Sequence, residues 1–427
     1  MKINIITLGC SKNLVDSEVL GTHLHKFKNK IIFDGEIDSG KIAIVNTCGF
    51  INDAKEESIE TIMNLVQAKQ EKSIEKIYVM GCLSERYKKD LISEIPEVDG
   101  FFGVNDLPEI LSSLNADSKN ILHGERLIST PSHYAFLKIA EGCNRQCAFC
   151  AIPMIRGNHI SQPVENIVAE ADYLTKNGVK ELMLISQDLS YYGKDLYGEY
   201  HLRKLLDELV KVEKLEWLRL HYLYPTDFLE PVLDLMAQNP KICSYIDIPF
   251  QHISSKILKS MKRGHSEKSV RDLVDLFRKK VPDVALRTTM IVGYPGETDE
   301  DFRKLVDFVQ QADFDRLGVF TYSEEEGTSA AKFKDDVSAE LKQERLDEIM
   351  EIQSSISLKK NQEKIGKIFK VLIDREEQDY FVGRTEFDSP EVDNEVLIPK
   401  TKKLKTGLFY NVKINSAEEF DLIGEVE

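Results

Sequence analysis

The chain has 427 residues and carries 56 Lys and Arg against 72 Asp and Glu, a net charge of −16. That balance argues against broad phosphate-backbone binding and favours a basic partner, and the length allows two or three domains, each with its own core. Met1 to Thr7 lacks the apolar core of a signal peptide, and no uninterrupted apolar run is long enough for a bilayer, so membrane insertion is not expected and the cytoplasm is. Seven cysteines in such a chain point to metal ligands or catalytic groups rather than disulfides.

To about Asn120, strand and helix patterns alternate. Ile3 to Leu8, Ile42 to Val45 and Ile77 to Met80 are short apolar β-rich runs, separated by helical patterns such as Asn13 to Phe27 and Asp53 to Ala68. A small parallel sheet covered by helices is predicted. Cys10, Cys48 and Cys82 each follow one of these runs, and the carboxyl ends of parallel strands share the edge where such sheets bind ligands. Three thiols should therefore converge. The neighbouring glycines Gly9, Gly49 and Gly81 let the backbone pass close to a bulky inorganic ligand. One such cysteine alone would read as an ordinary buried residue. Three at equivalent strand ends read as ligands of an iron–sulfur cluster with one open iron.

A polar connector, His123 to His133 with Pro131, separates a first domain, 1–122, from the next. The strand-like run Ala135 to Ala140 then leads into Cys143, Cys147 and Cys150, a Cys-x3-Cys-x2-Cys spacing with no fourth thiol. Structural zinc takes four ligands. Three thiolates instead suit a [4Fe-4S] cluster whose remaining iron is open to a small molecule. The run, including Phe149 before the third cysteine, resembles the radical S-adenosylmethionine (SAM) signature, and the resemblance implies SAM chelated at that iron.

Five more strand-like runs follow, Glu181 to Ser186, Leu218 to Leu223, Ser244 to Ile248, Ala285 to Val292 and Leu317 to Thr321, each with a helical pattern behind it. Six β/α units are two short of a full barrel, so an α/β fold with an open partial (β/α)6 TIM-like barrel is predicted. With the charged helical stretch Val337 to Lys364, it forms a second domain, 133–362. Residues just past the strands should line the SAM pocket: Gln187 and Asp188, His221 and Tyr222, Gln251 and His252, and the turn from Gly293 to Glu297. Gly293 and Gly296 would let backbone approach the adenine or ribose, although a plain strand-to-helix turn explains them equally well. His221 and His252 also read as hydrogen-bonded core or rim residues. Arg156 either holds a carboxylate of cofactor or substrate or pairs with a nearby acid. Cys243 reads as a core residue.

From Ile368 the pattern changes to alternating β residues with turns at Asp388-Ser389-Pro390 and Thr406-Gly407, predicting an all-β barrel of about five strands over 363–427. This tail resembles a TRAM domain. Together with Gly9-Cys10-Ser11-Lys12-Asn13, the three-cysteine first domain and the radical core, it resembles the methylthiotransferase family over essentially the whole chain. The tRNA-modifying branch reads Gly-Cys-Gln-Met-Asn at the first cysteine and Gln-Ser-Gly-Ser after the fourth barrel strand. Here the chain has Gly-Cys-Ser-Lys-Asn and Phe250-Gln251-His252-Ile253-Ser254, which resemble the ribosomal-protein branch. One departure is Ser161-Gln162-Pro163, where Arg is common between Ser and Pro.

The resemblance implies two [4Fe-4S] clusters and SAM as both methyl donor and radical source. It implies insertion of sulfur and a methyl group at the β-carbon of an aspartate in the twelfth small-subunit ribosomal protein. An electron donor such as flavodoxin or ferredoxin is implied as a second partner. From Asn361 to Glu427 ten Lys and Arg stand against fifteen Asp and Glu, a poor match for direct RNA binding and a good one for a basic protein. The alternatives are tRNA adenosine methylthiolation, which uses the same six cysteines, and a non-enzymatic iron–sulfur electron carrier, which needs no open iron.

Overall fold

The computed structural model describes residues 1–116, 125–226 and 229–427. The end of the first domain at 122 and the connector's first residue, His123, lie outside the described residues. Three sheets organise the chain.

The first is all parallel: β1 (Lys2–Thr7), β2 (Lys30–Phe33), β3 (Ile42–Thr47), β4 (Lys76–Gly81) and β5 (Gly100–Phe101), in the order β2-β1-β3-β4-β5. Its period-two pattern sends Ile3, Ile5, Ile44 and Met80 to one face, against Leu20 and Leu24 of helix Ser11–Lys26, and Ala43, Val45, Ile77 and Val79 to the other. Sequence patterning missed β2, a half-buried edge strand, and β5, only two residues long. The chain leaves β1 for β2 on one side and returns to β3 on the other. The β1/β3 boundary is thus a topological switch point, where open α/β sheets leave a crevice for ligands.

The second sheet holds β6 (Tyr134–Lys138), β9 (Glu181–Ile185), β10 (Trp217–Leu220), β11 (Ile242–Asp247), β12 (Ala285–Val292) and β13 (Arg316–Thr321), all parallel and in chain order across the sheet. This is the predicted six-stranded open barrel. The expected strand Ala135 to Ala140 breaks at Ile139. Its last residues form a separate antiparallel pair, β7 (Ala140–Glu141) with β8 (Ile160–Ser161), that brackets the three-cysteine loop. Helices cover the outer face, and helix Ala339–Gln362 packs beside β13.

The third sheet is a closed five-stranded barrel of β14 (Ile368–Glu376), β15 (Tyr380–Arg384), β16 (Glu395–Pro399), β17 (Phe409–Ala417) and β18 (Asp421–Val426), filled by Val371, Ile373, Val396, Val412, Ile414 and Leu422. It does not stand apart. The segment between β15 and β16 runs along the inner face of the six-stranded sheet and touches five of its strands. Tyr134 meets Glu391, Arg219 donates to the Glu386 carbonyl, Tyr245 to Asp393, and Arg287 and Arg316 pair with Asp393 and Asp388. Arg384 adds β9 by pairing with Glu181 at 2.8 Å. Asp374, Asp388 and Asp393 are therefore spent on internal partners.

No helix among the described residues is long and apolar enough to cross a membrane.

Candidate functional site

Cys10, Cys48 and Cys82 lie just past the ends of β1, β3 and β4, the first two on the switch point. Cys10 precedes helix Ser11–Lys26 as its N-cap residue and Cys82 opens helix Cys82–Glu94. Gly9 makes this convergence possible. Its φ is +86°, and a Cβ there would lie 2.7 Å from Cys48 Cβ and 3.0 Å from Cys48 Sγ. The glycine lets the protein's own two cysteine loops approach each other.

The second set, Cys143, Cys147 and Cys150, sits in the loop between β7 and helix Ile152–Arg156. Arg145 donates its backbone N–H to Cys143 Sγ at 3.4 Å, and Arg263 donates from Nη1 to Cys147 Sγ at 3.2 Å. Burial pushes the Cys143 thiol up to about 11 and those of Cys150 and Cys82 up to about 12. Deprotonating these sulfurs thus needs a strong local positive charge, which a metal cluster supplies.

Both sets line one cavity of about 340 Å³. Helix Ser11–Lys26 seats Val15 against Phe136, Met183 and Ile185 on the inner face of the open barrel, so the first sheet's ligand edge faces the barrel mouth. Buried ion pairs hold the two together. Arg156 reaches Asp16 at 3.2 Å, Glu141 at 2.9 Å and Asn13 Oδ1 at 2.5 Å, Lys138 bridges Asp16 and Glu141, and Glu325 accepts from both Lys55 and Arg86.

The donor set fits iron–sulfur clusters. Six thiols in two groups of three border the cavity, while no group of three or more His, Cys, Asp or Glu among the described residues is placed to hold a single metal ion. The lining also fits a polar organic cofactor. Gln187 and Gln251 both border the cavity, and the Oε1 of each is buried without a hydrogen-bond partner.

Of the other residues singled out in the sequence, Phe149, Gln187, Tyr222, Gln251 and Arg156 border this cavity, and Arg156 does so while paired with acids. Gly293 and Gly296 do not border it. The turn is held by its own contacts, Gly293 N–H to Glu297 and Gly296 N–H to Asp336, and a Cβ at Gly293 would meet Lys342. Asp188 lies behind the lining, paired with Arg145 at 2.7 Å. His252 is buried between Ser254 N–H and Glu297, and His221 between Ser389 and Asp247. Cys243 is fully buried. Sequence reasoning missed Lys12, Arg145, Tyr224 and Arg263, all on the lining. Lys12 and Arg145 were within reach as neighbours of the cysteines, but nothing in the sequence marks Arg263.

Family models match along the chain: "Uncharacterized protein family UPF0004" over 2–103, "Radical SAM superfamily" over 137–309 and "TRAM domain" over 365–426. Among solved structures, the radical SAM methyltransferase TsrM from Kitasatospora setae, with tryptophan and a SAM analogue bound, superposes with a TM-score of 0.56 at 15% identity, covering 74% of this chain and 72% of that one. That likeness concerns the fold. Relatives named ribosomal protein uS12 methylthiotransferase RimO include one from Christiangramia forsetii, 56% identical over 99% of this chain and 94% of its own. One from Flavobacterium johnsoniae is 56% identical over 99% and 98%, and one from Bacteroides thetaiotaomicron is 50% identical over 100% and 98%. With half or more of its residues shared along its full length, the chain belongs to the RimO family of radical SAM methylthiotransferases.

Proposed function

We infer that the protein is the methylthiotransferase of ribosomal protein uS12, inserting sulfur and a methyl group at the β-carbon of an aspartate. The observation that carries this reading is the single cavity bordered by two independent three-cysteine sets. When bound, the clusters and SAM supply the reductive cleavage, hydrogen removal and sulfur and methyl delivery that no side chain can perform on an unactivated C–H bond.

The chain's residues do the rest. Cys143, Cys147 and Cys150 would hold the radical cluster, and Cys10, Cys48 and Cys82 the second. Arg145 and Arg263 place donors on two of the radical-site sulfurs. Gln187 and Gln251 offer acceptors to SAM, and Phe149 would pack against the same cofactor. Gly293 and Gly296 remain proposed backbone contacts to its adenine or ribose, on the general rule that barrel strands present their carboxyl ends to ligands. Phe50, Ile152, Leu223 and Tyr224 line the rest and exclude water, which protects a radical from quenching.

Three finer points belong to the same proposal. The chain divides into 1–122, 133–362 and 363–427, a reading supported by the five-stranded sheet, the six-stranded sheet and the closed barrel. It works in the cytoplasm with a flavodoxin or ferredoxin as electron donor. It does not bind RNA directly, a reading supported by the net charge of −16. Mass spectrometry of ribosomal peptides and of tRNA nucleosides from cells lacking the protein tests the assignment. Loss of the methylthio group from uS12 with normal tRNA is expected, and the reverse pattern would replace this reading with the tRNA alternative.

A further inference from the structure

Among the described residues, four cations border the cavity: Lys12, Arg145, Arg156 and Arg263. Three are already engaged. Arg145 pairs with Asp188 at 2.7 Å, Arg156 with Asp16 and Glu141, and Arg263 donates to Cys147 Sγ and, at 2.5 Å, to the Pro249 carbonyl. Lys12 differs. The residue is 7% exposed, yet among the described residues its side chain has no ion pair and no hydrogen bond. Its recorded partner is the face of Tyr222, with Nζ 3.0 Å from the ring centroid.

That contact crosses the cavity. Lys12 follows Cys10 on the first sheet's ligand edge, whereas Tyr222 follows β10 of the barrel. Tyr222 is held with φ at +60°, and its N–H is fixed by Asp247 Oδ2 at 3.0 Å, so the ring is a set platform rather than a loose cover. A ring face attracts an ammonium without occupying its N–H donors. A nearly buried ammonium with its donors open to a cavity is costly unless an anion arrives to meet it.

We propose that Lys12 binds the side-chain carboxylate of the substrate aspartate and sets the preference for an acidic side chain. This rests on the functional reading above. A carboxylate held there lies beside Cys10 in a cavity that both cysteine sets border, so the adjacent methylene carbon is presented between them. A neutral base offers the ammonium hydrogen-bond acceptors but no opposite charge, so it would gain less.

The test uses the reconstituted holoprotein and two peptides spanning the modified uS12 segment, one with the aspartate and one with asparagine in its place. Calorimetric binding should favour the aspartate peptide by at least about tenfold in the unmodified protein, the scale of a charge-assisted hydrogen bond. In K12M and K12Q the ratio should fall below about twofold, while K12R keeps most of it. A ratio unchanged in both neutral variants overturns the proposal, as does an equal loss of affinity for SAM and both peptides, which would assign the ammonium to the cofactor. If the unmodified protein leaves the aspartate peptide without a methylthio mass shift, the functional reading falls as well. A normal shift with an unchanged K12M ratio removes the Lys12 proposal alone.

Discussion

The Tyr245 hydroxyl donates to Asp393 Oδ2 at 2.7 Å, and this bond ties the carboxyl-terminal barrel into the inner face of the six-stranded sheet. Asp393 also accepts the Ser389 N–H at 2.8 Å and faces Arg287 Nε at 3.4 Å. Arg287 continues to Asp247 at 2.9 Å, and Asp247 holds the Tyr222 N–H. A continuous line of contacts therefore runs from the barrel to the cavity rim. The barrel completes the core of its neighbour.

Asp393→Ala should accordingly destabilise the whole chain by about 3 kcal/mol, because it leaves the buried Tyr245 hydroxyl and Ser389 N–H without their acceptor. Differential scanning calorimetry should show a lowered Tm. A chain ending before residue 363 should fail to fold, since Glu181, Arg219 and Arg316 would all lose partners from the barrel segment. An unchanged Tm in the point variant, or a soluble folded truncation, would refute the coupling.

Gly9→Ala should cost roughly 1–3 kcal/mol, through the positive φ and the collision with Cys48 Cβ. A thermal melt compared with Gly264→Ala makes the check. Gly264 also has a positive φ, +74°, but a Cβ there would meet nothing within 4 Å. Equal losses at both positions would mean that the close approach of the two cysteine loops contributes nothing.

The sequence was most informative where chemistry and period coincide. The Cys143 run has fixed spacing, and the strand-end cysteines could be grouped once the apolar runs were marked, because parallel strands bring like ends to one edge. What stayed hidden was tertiary. Arg263 reaches Cys147 across the fold, and the acids Asp374, Asp388 and Asp393 look like solvated surface until their arginines are seen. The histidines followed the plainer of their two readings, since His252 and His221 satisfy neighbouring groups away from the cavity lining. Net charge counted along a segment cannot distinguish a free acid from one paired inside.

Asp247 makes the stability pH-dependent. Burial opposes its ionisation, but the His221 imidazole 3.6 Å away and the Arg287 charge outweigh burial and hold the carboxyl well below the usual range. A depressed acid contributes its stability fully above the unfolded value of about 3.9, and that contribution is lost as pH falls through the folded one. The urea midpoint of the unmodified protein should exceed that of Asp247→Asn by a constant amount above about pH 5, and the gap should shrink below about pH 4. A gap that does not change with pH would show that the charge on Asp247 is not what stabilises.

The two cysteine sets should separate experimentally. On a four-iron assignment for each site, anaerobically reconstituted protein should hold about eight irons per chain, and replacing Cys143, Cys147 and Cys150 with Ala should leave about four. Removing the radical-site thiols should also end reductive cleavage of SAM to 5′-deoxyadenosine. Cys48→Ala should retain that cleavage and lose sulfur insertion, because Cys48 belongs to the other sheet and its loop approaches Gly9 rather than the radical-site loop. Iron assay, 5′-deoxyadenosine quantitation and the mass of the uS12 peptide measure the three outcomes in one preparation. Normal methylthiolation by Cys48→Ala would leave the first set without a catalytic role, and zinc in place of iron after anaerobic handling would defeat the cluster assignment altogether.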